Sequence, residues 1–199
     1  MTTDTLATRL WPAAGSSLVR NIVLAIAGSL LVAGAAQISI PMWPVPMTLQ
    51  TLAVLGVGAA FGARLGAATL VLYALEGLAG LPFFANGESG LYSSKGLIIS
   101  SGGYIIGFIL AAALVGWLAE KGWAANPLKM MFAALLGAAV LYIPGIAWLA
   151  VWAVEVMGVA SADAFSTAIS WGLTPFLIGD GIKAVVVGLG VGATAKALM

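Results

Sequence analysis

The run TPFLIGDGIKAVVVGLGVGATAKALM, from Thr174 to Met199, decides the class of this fold. It is long and apolar enough to cross a bilayer, whose hydrocarbon core of roughly 30 Å takes about 20 residues as a helix. Yet Asp180 and Lys183 sit inside it, and a charge near the centre of a span costs roughly 2.5–3.5 kcal/mol. Spacing i, i+3 puts both side chains on one helix face, where they neutralise each other and present an acceptor and a donor to a common cavity. Two readings are open. The pair either locks this helix against its neighbours or reads a neutral polar ligand inside the membrane, and the second is favoured because intramembrane ionisable residues face cavities or pathways more often than lipid.

The rest of the chain has the same character: 62% of residues are hydrophobic and 8% charged, with a mean hydropathy of +1.10. Such a composition belongs to polytopic membrane proteins, so residues 1–199 are read as one all-α integral membrane domain in the lipid bilayer. A net charge of +1 offers no basic stripe for a nucleic-acid partner. There is neither cysteine nor histidine, which excludes disulfides, Cys/His metal sites and Ser–His or Cys–His catalytic couples. Arg20 leads straight into a long apolar run without a short cleavable signal region, so residues 1–18 are read as a cytoplasmic lead and 19–198 as the bundle.

Hydropathy and turn residues divide that bundle into six spans. The first, about Ile22–Ile38, carries Ala25, Ser29 and Ala33 at every fourth position, a small-residue stripe that lets another helix approach, inside the chain or outside it. Ser39–Gln50 holds three prolines and reads as a stiff loop ending in Thr48 and Gln50, with Trp43 as interfacial anchor or lid. Leu49 to Leu81 would make a helix of about 50 Å, too long for one crossing, and Gly62-Ala-Arg64-Leu-Gly66 is its natural fold-back. Glu76 then falls near the outer end of the third span, as an interfacial carboxylate or as part of the polar site. A long turn-rich loop from Gly80 to Tyr104 follows, with Asn86, Lys95 and Tyr104 as candidate ligand contacts. The fourth span is about Gly103–Ala119, the fifth about Leu128–Trp152, and the sixth is the opening run.

Six spans place Arg9, Arg20, Arg64, Lys121, Lys129 and Lys196 on one side, the cytoplasmic one, together with both termini. Only Lys95 lies on the other. The polar pair then opens outward. No G-x-x-x-x-G-K-[ST] segment exists, so energy comes from a partner or a gradient; a lone Asp180 makes a poor intramembrane protease, and a self-compensating pair a poor channel. What remains is a membrane-embedded binding protein with no cofactor, metal or catalytic residue. Its pocket is mostly apolar and suits a ligand such as a cyclic urea, with N–H groups donating to Asp180 and a carbonyl accepting from Lys183.

Four segments bring a family into view: Pro44-Val-Pro-Met-Thr-Leu-Gln-Thr51, Gly80-Leu-Pro-Phe-Phe-Ala85, Gly102-Gly-Tyr-Ile-Ile-Gly-Phe108 and Asp180-Gly-Ile-Lys183. From Arg20 to Lys196 the chain resembles the BioY family, the biotin-binding S component of energy-coupling-factor (ECF) transporters. The resemblance implies a six-helix S-component fold in the bacterial cytoplasmic membrane and biotin capture near the outer face. It also implies uptake energised by a scaffold transmembrane subunit with ABC-type ATPases, or function as a homo-oligomer. It makes Asp180 and Lys183 the ligand-binding pair, points Ala25, Ser29 and Ala33 at the scaffold, and leaves Lys95 as candidate partner of the biotin carboxylate. Where the family usually reads Gly-Pro-Thr before Gly-Gly-Tyr, this chain has Ile99-Ser100-Ser101. The alternative from another transport class is an autonomous proton-coupled or oligomeric vitamin carrier using Asp180 as its proton site.

Overall fold

The computed structural model describes residues 5–11, 17–92 and 98–197. A short helix α1, Leu6–Leu10, starts at a capping box in which the Thr8 hydroxyl accepts from Thr5 N at 3.0 Å and the Thr5 hydroxyl from Thr8 N at 3.3 Å. Helix α2, Ser17–Gln37, begins one turn before the expected first span. Its small residues Gly28, Ser29, Ala33 and Ala36 face the bundle while Leu18, Ile22, Ile26 and Leu30 remain exposed, the reverse of a water-soluble helix and the pattern expected where lipid is the solvent.

The proline-rich stretch closes as a small hairpin, β1 Ser39–Ile40 paired antiparallel with β2 Met47–Thr48 in the register Ser39↔Thr48 and Ile40↔Met47. Pro41, Pro44 and Pro46 all fall in its turn, where no ladder donor is required.

Helix α3, Gln50–Leu78, is broken at Gly62, whose φ of 83° and ψ of 178° lie outside helical space and suit glycine alone. The halves double back: a Cβ built on Gly66 would stand 3.1 Å from the Gly58 Cα, whereas eight residues of straight helix span roughly 12 Å. Glu120 stabilises the break, its Oε1 accepting from Ala63 N at 3.0 Å at the start of the second arm. Gly58 also lets the neighbouring helix come close, since a Cβ there would meet Ala112 O at 2.6 Å.

That neighbour is α4, Gly102–Glu120, which packs against both α3 and α5. Helix α5, Pro127–Glu155, starts with proline at its first position and with the Asn126 side chain accepting from Leu128 N and Lys129 N. It runs through Pro144 without interruption. A short helix α6, Ala164–Gly172, then precedes α7, Leu177–Ala197. Helix α6 lies between the fifth and sixth expected spans, and its Ala168 is fully buried, so packing fixes a segment whose length does not advertise a helix.

Among the described residues, five helical stretches are long and apolar enough to span a membrane, Ala164–Ala195 being counted as one. The chain is a mostly helical, multi-pass membrane protein.

Candidate functional site

The N-terminal ends of α3, α4 and α7, the middle of α5 and the loop around Phe84 meet at one end of the bundle. They border a cavity of about 550 Å³ with its open mouth included. Apolar walls come from Val45, Phe84, Ile105, Phe108, Leu141 and Phe176. The polar groups converge from different elements.

Asp180 and Lys183 both line this cavity and are 6% and 7% exposed. Lys183 Nζ lies 3.3 Å from Asp180 Oδ1. Neither is left to the other alone: Lys183 Nζ donates to Thr51 Oγ1 at 2.6 Å, and the Tyr142 hydroxyl donates to Asp180 Oδ2. Asp180 stands in the first turn of α7, where the helix dipole favours a negative charge. The pair is thus satisfied by groups from α3 and α5, as a charge pair removed from water must be.

A second polar group flanks the first. Gln50 Nε2 donates to the Tyr73 hydroxyl at 2.6 Å, and that hydroxyl donates to Phe83 O at 3.1 Å. Thr48 Oγ1 accepts from Gln50 N at 3.1 Å, fixing the start of α3. Tyr104 crosses the cavity wall to donate to Gly172 O at 2.8 Å, and its ring meets Tyr142 edge to face at 6.1 Å. This ring needs the space left by Gly145, where a Cβ would lie 2.7 Å from it. The unusual Ile99-Ser100-Ser101 segment, with Ile98 before it, is tied to the hairpin turn and to α5. Ser100 donates to Pro44 O at 2.6 Å, Trp148 Nε1 to Ile99 O at 2.8 Å and Trp152 Nε1 to Ile98 O at 2.7 Å.

The structure therefore brings Asp180, Lys183, Thr48, Gln50 and Tyr104 to one cavity. Trp43, at the tip of the β1–β2 hairpin and 61% exposed, and Asn86, in a left-handed turn, line an adjoining hollow instead. Lys95 lies outside the described residues. Thr51, Tyr73 and Tyr142 are cavity residues that the sequence reading gave no role. A tyrosine hydroxyl in an apolar span needs a partner, which is the signal that Tyr73 and Tyr142 carried.

Two residues of the small-residue stripe lie inside the bundle. Ser29 is fully buried and donates to Glu76 Oε2, Ala33 belongs to the core and Ala25 is half-buried. Ser29 and Ala33 pack inside the chain, Ser29 against α3, where small side chains allow a close approach. The same bond settles the open reading of Glu76: its carboxylate is held by α2, away from the cavity.

Comparison with known proteins adds four findings. A family model described as the BioY family matches residues 4–199. A biotin transporter BioY of Thermotoga maritima is 36% identical over 171 residues, covering 86% of this chain and 93% of that protein. A biotin transporter BioY of Rhodobacter capsulatus is 35% identical over 184 residues, covering 85% and 90%. Among solved structures, the S-component for biotin from an ECF-type ABC transporter superposes with a TM-score of 0.72 at 21% identity, over 92% of this chain and 95% of that one. At that identity the match speaks for the fold.

Proposed function

The chain belongs to the BioY family, and from that membership we propose how its cavity serves biotin uptake by a membrane S component. The single observation that carries the reading is a buried acid–base pair lining an apolar cavity of about 550 Å³, each partner held by a hydroxyl from another helix. The ureido ring of biotin has two N–H donors and one carbonyl acceptor. It is neutral and rigid, with an apolar thioether ring beside it. Asp180 accepts from the ureido N–H groups and Lys183 donates to the carbonyl, exchanging part of their mutual contact for the ligand. Phe84, Phe108 and Phe176 cover the apolar ring, while Gln50, Thr48 and Tyr104 shape the polar edge.

The residue roles come with a topology. The break at Gly62 and the meeting of Gly58 with Gly66 support six crossings, with α3 contributing two. Arg20, Arg64, Lys121 and Lys129 all lie at element ends opposite the cavity, which supports a cytoplasmic location for that end and for both termini in a bacterial inner membrane. Residues 1–199 then form one integral membrane domain whose cavity faces outward. A scaffold subunit and paired ATPases supply the energy, since no nucleotide-binding loop is present in this sequence.

Isothermal titration of the detergent-solubilised protein against biotin, desthiobiotin, thiamine and riboflavin tests the reading. Submicromolar binding is expected for biotin, with no measurable heat from thiamine or riboflavin. Asp180→Asn and Lys183→Met are each expected to weaken biotin binding at least a hundredfold. Either single change strands a buried charge, costing about 3–5 kcal/mol of stability; the double variant strands none, so loss of binding in a folded double variant assigns the effect to the ligand. Biotin affinity at the wild-type level in the double variant would overturn the assignment.

A further inference from the structure

Beside the cavity of the charged pair lies a second hollow of about 930 Å³, its open mouth included, and the two share Pro46, Ala85 and Ser101 as common walls. Its chemistry differs from the first. Trp43 and Trp152 both line it, edge to face with centroids 6.2 Å apart and planes at 64°. Trp43 is largely exposed and leaves ring surface open for contact. Among the described residues, Glu88 is the one ionisable side chain in the wall. A tight turn presents it: Asn86 and Gly87 take left-handed φ values of 62° and 72°, and Phe84 N donates to Glu88 O at 3.0 Å.

Burial raises the Glu88 carboxyl above its ordinary value, so its charged form is poorly served by water and gains from an arriving cation. Indole rings attract the same partner, because the negative face of the ring quadrupole draws an ammonium. A carboxylate and two indoles lining one hollow favour an organic cation.

We infer that this hollow recognises an ammonium group carried on an extension of the ligand, so that the protein accepts biotin amides ending in a cationic amine and prefers them to neutral amides of equal length. The inference rests on the biotin reading of the neighbouring cavity. A ring held by Asp180 and Lys183, with its side chain running past Ala85 and Ser101, delivers the far end of that chain to Glu88 and the tryptophans. An amide at the terminal carboxyl lengthens the chain, and the amine at its end supplies the group that Glu88 attracts.

Titration of the solubilised wild-type protein with biotin, N-pentyl biotinamide and N-(5-aminopentyl) biotinamide tests this. The aminopentyl amide is expected to bind roughly five- to thirtyfold more tightly than the pentyl amide. Glu88→Gln is expected to bring the ratio of the two affinities close to one, and Trp43→Leu to reduce it. Equal affinities of the two amides in the wild type overturn the inference without recourse to any variant, as does a ratio that survives Glu88→Gln. Biotin binding with no preference between the amides sinks this inference alone, whereas a wild-type protein that binds none of the three refutes the biotin reading and this one with it.

Discussion

Asp180 has two carboxylate oxygens and the fold engages both, Oδ1 with Lys183 and Oδ2 with Tyr142, while Lys183 reaches on to Thr51. Hydrogen bonds to charged groups are worth about 1.5–3 kcal/mol, so the two hydroxyls fix the geometry of the pair rather than merely filling space. Tyr142→Phe and Thr51→Val are each expected to weaken biotin binding about tenfold. Their effects should fall short of additive in the double variant, because both act on one network; calorimetry on the four proteins measures this, and wild-type affinity in both singles would exclude the role. The pair itself was legible in the sequence because charges interrupt an apolar run. Its supporting hydroxyls were not. Thr51 and Tyr142 approach the pair from 132 and 38 residues away, and a threonine at a helix start or a tyrosine in a span carries no local mark of its partner.

At the scale of elements, α3 shows what a length argument does. An apolar run too long for one crossing forces a break, and glycine near its middle says where; Gly62, with φ at 83°, is that break. Gly62→Ala places a Cβ 2.8 Å from Thr5 Cγ2 and against the Glu120 carboxylate in a backbone region that alanine avoids. A loss of about 1–3 kcal/mol is expected, read as a lower midpoint in thermal unfolding of the detergent-solubilised protein. An unchanged midpoint would mean that the arms are not held by this turn. Helix α6 was hidden for the opposite reason: it is short and lies in the same apolar stretch as α7, so hydropathy could not separate them. The β1–β2 hairpin was also unread. Three prolines predicted a stretch without helix, but two residue pairs of ladder are too little pattern to see.

For the whole molecule the decisive feature is segregation. Large apolar side chains such as Leu18, Ile22, Leu128, Ile143 and Ile178 point outward, and the ordinary cations gather at the end away from the cavity. Since the sequence has no cysteine, single introduced cysteines report their surroundings alone. With six crossings, Tyr92→Cys and Ser161→Cys are expected to react with an impermeant maleimide on intact cells, and Arg64→Cys and Lys121→Cys only after permeabilisation. Labelling of Arg64→Cys from outside would replace the broken α3 with a single crossing. Trp43 gives this architecture one property that requires no engineering. Its ring sits at the hairpin tip, 6.2 Å from Trp152 and 5.0 Å from Trp171, close enough for the three indole chromophores to couple. A displacement of the hairpin would separate Trp43 from both partners, so near-ultraviolet dichroism of the unlabelled protein is expected to report the position of that hairpin.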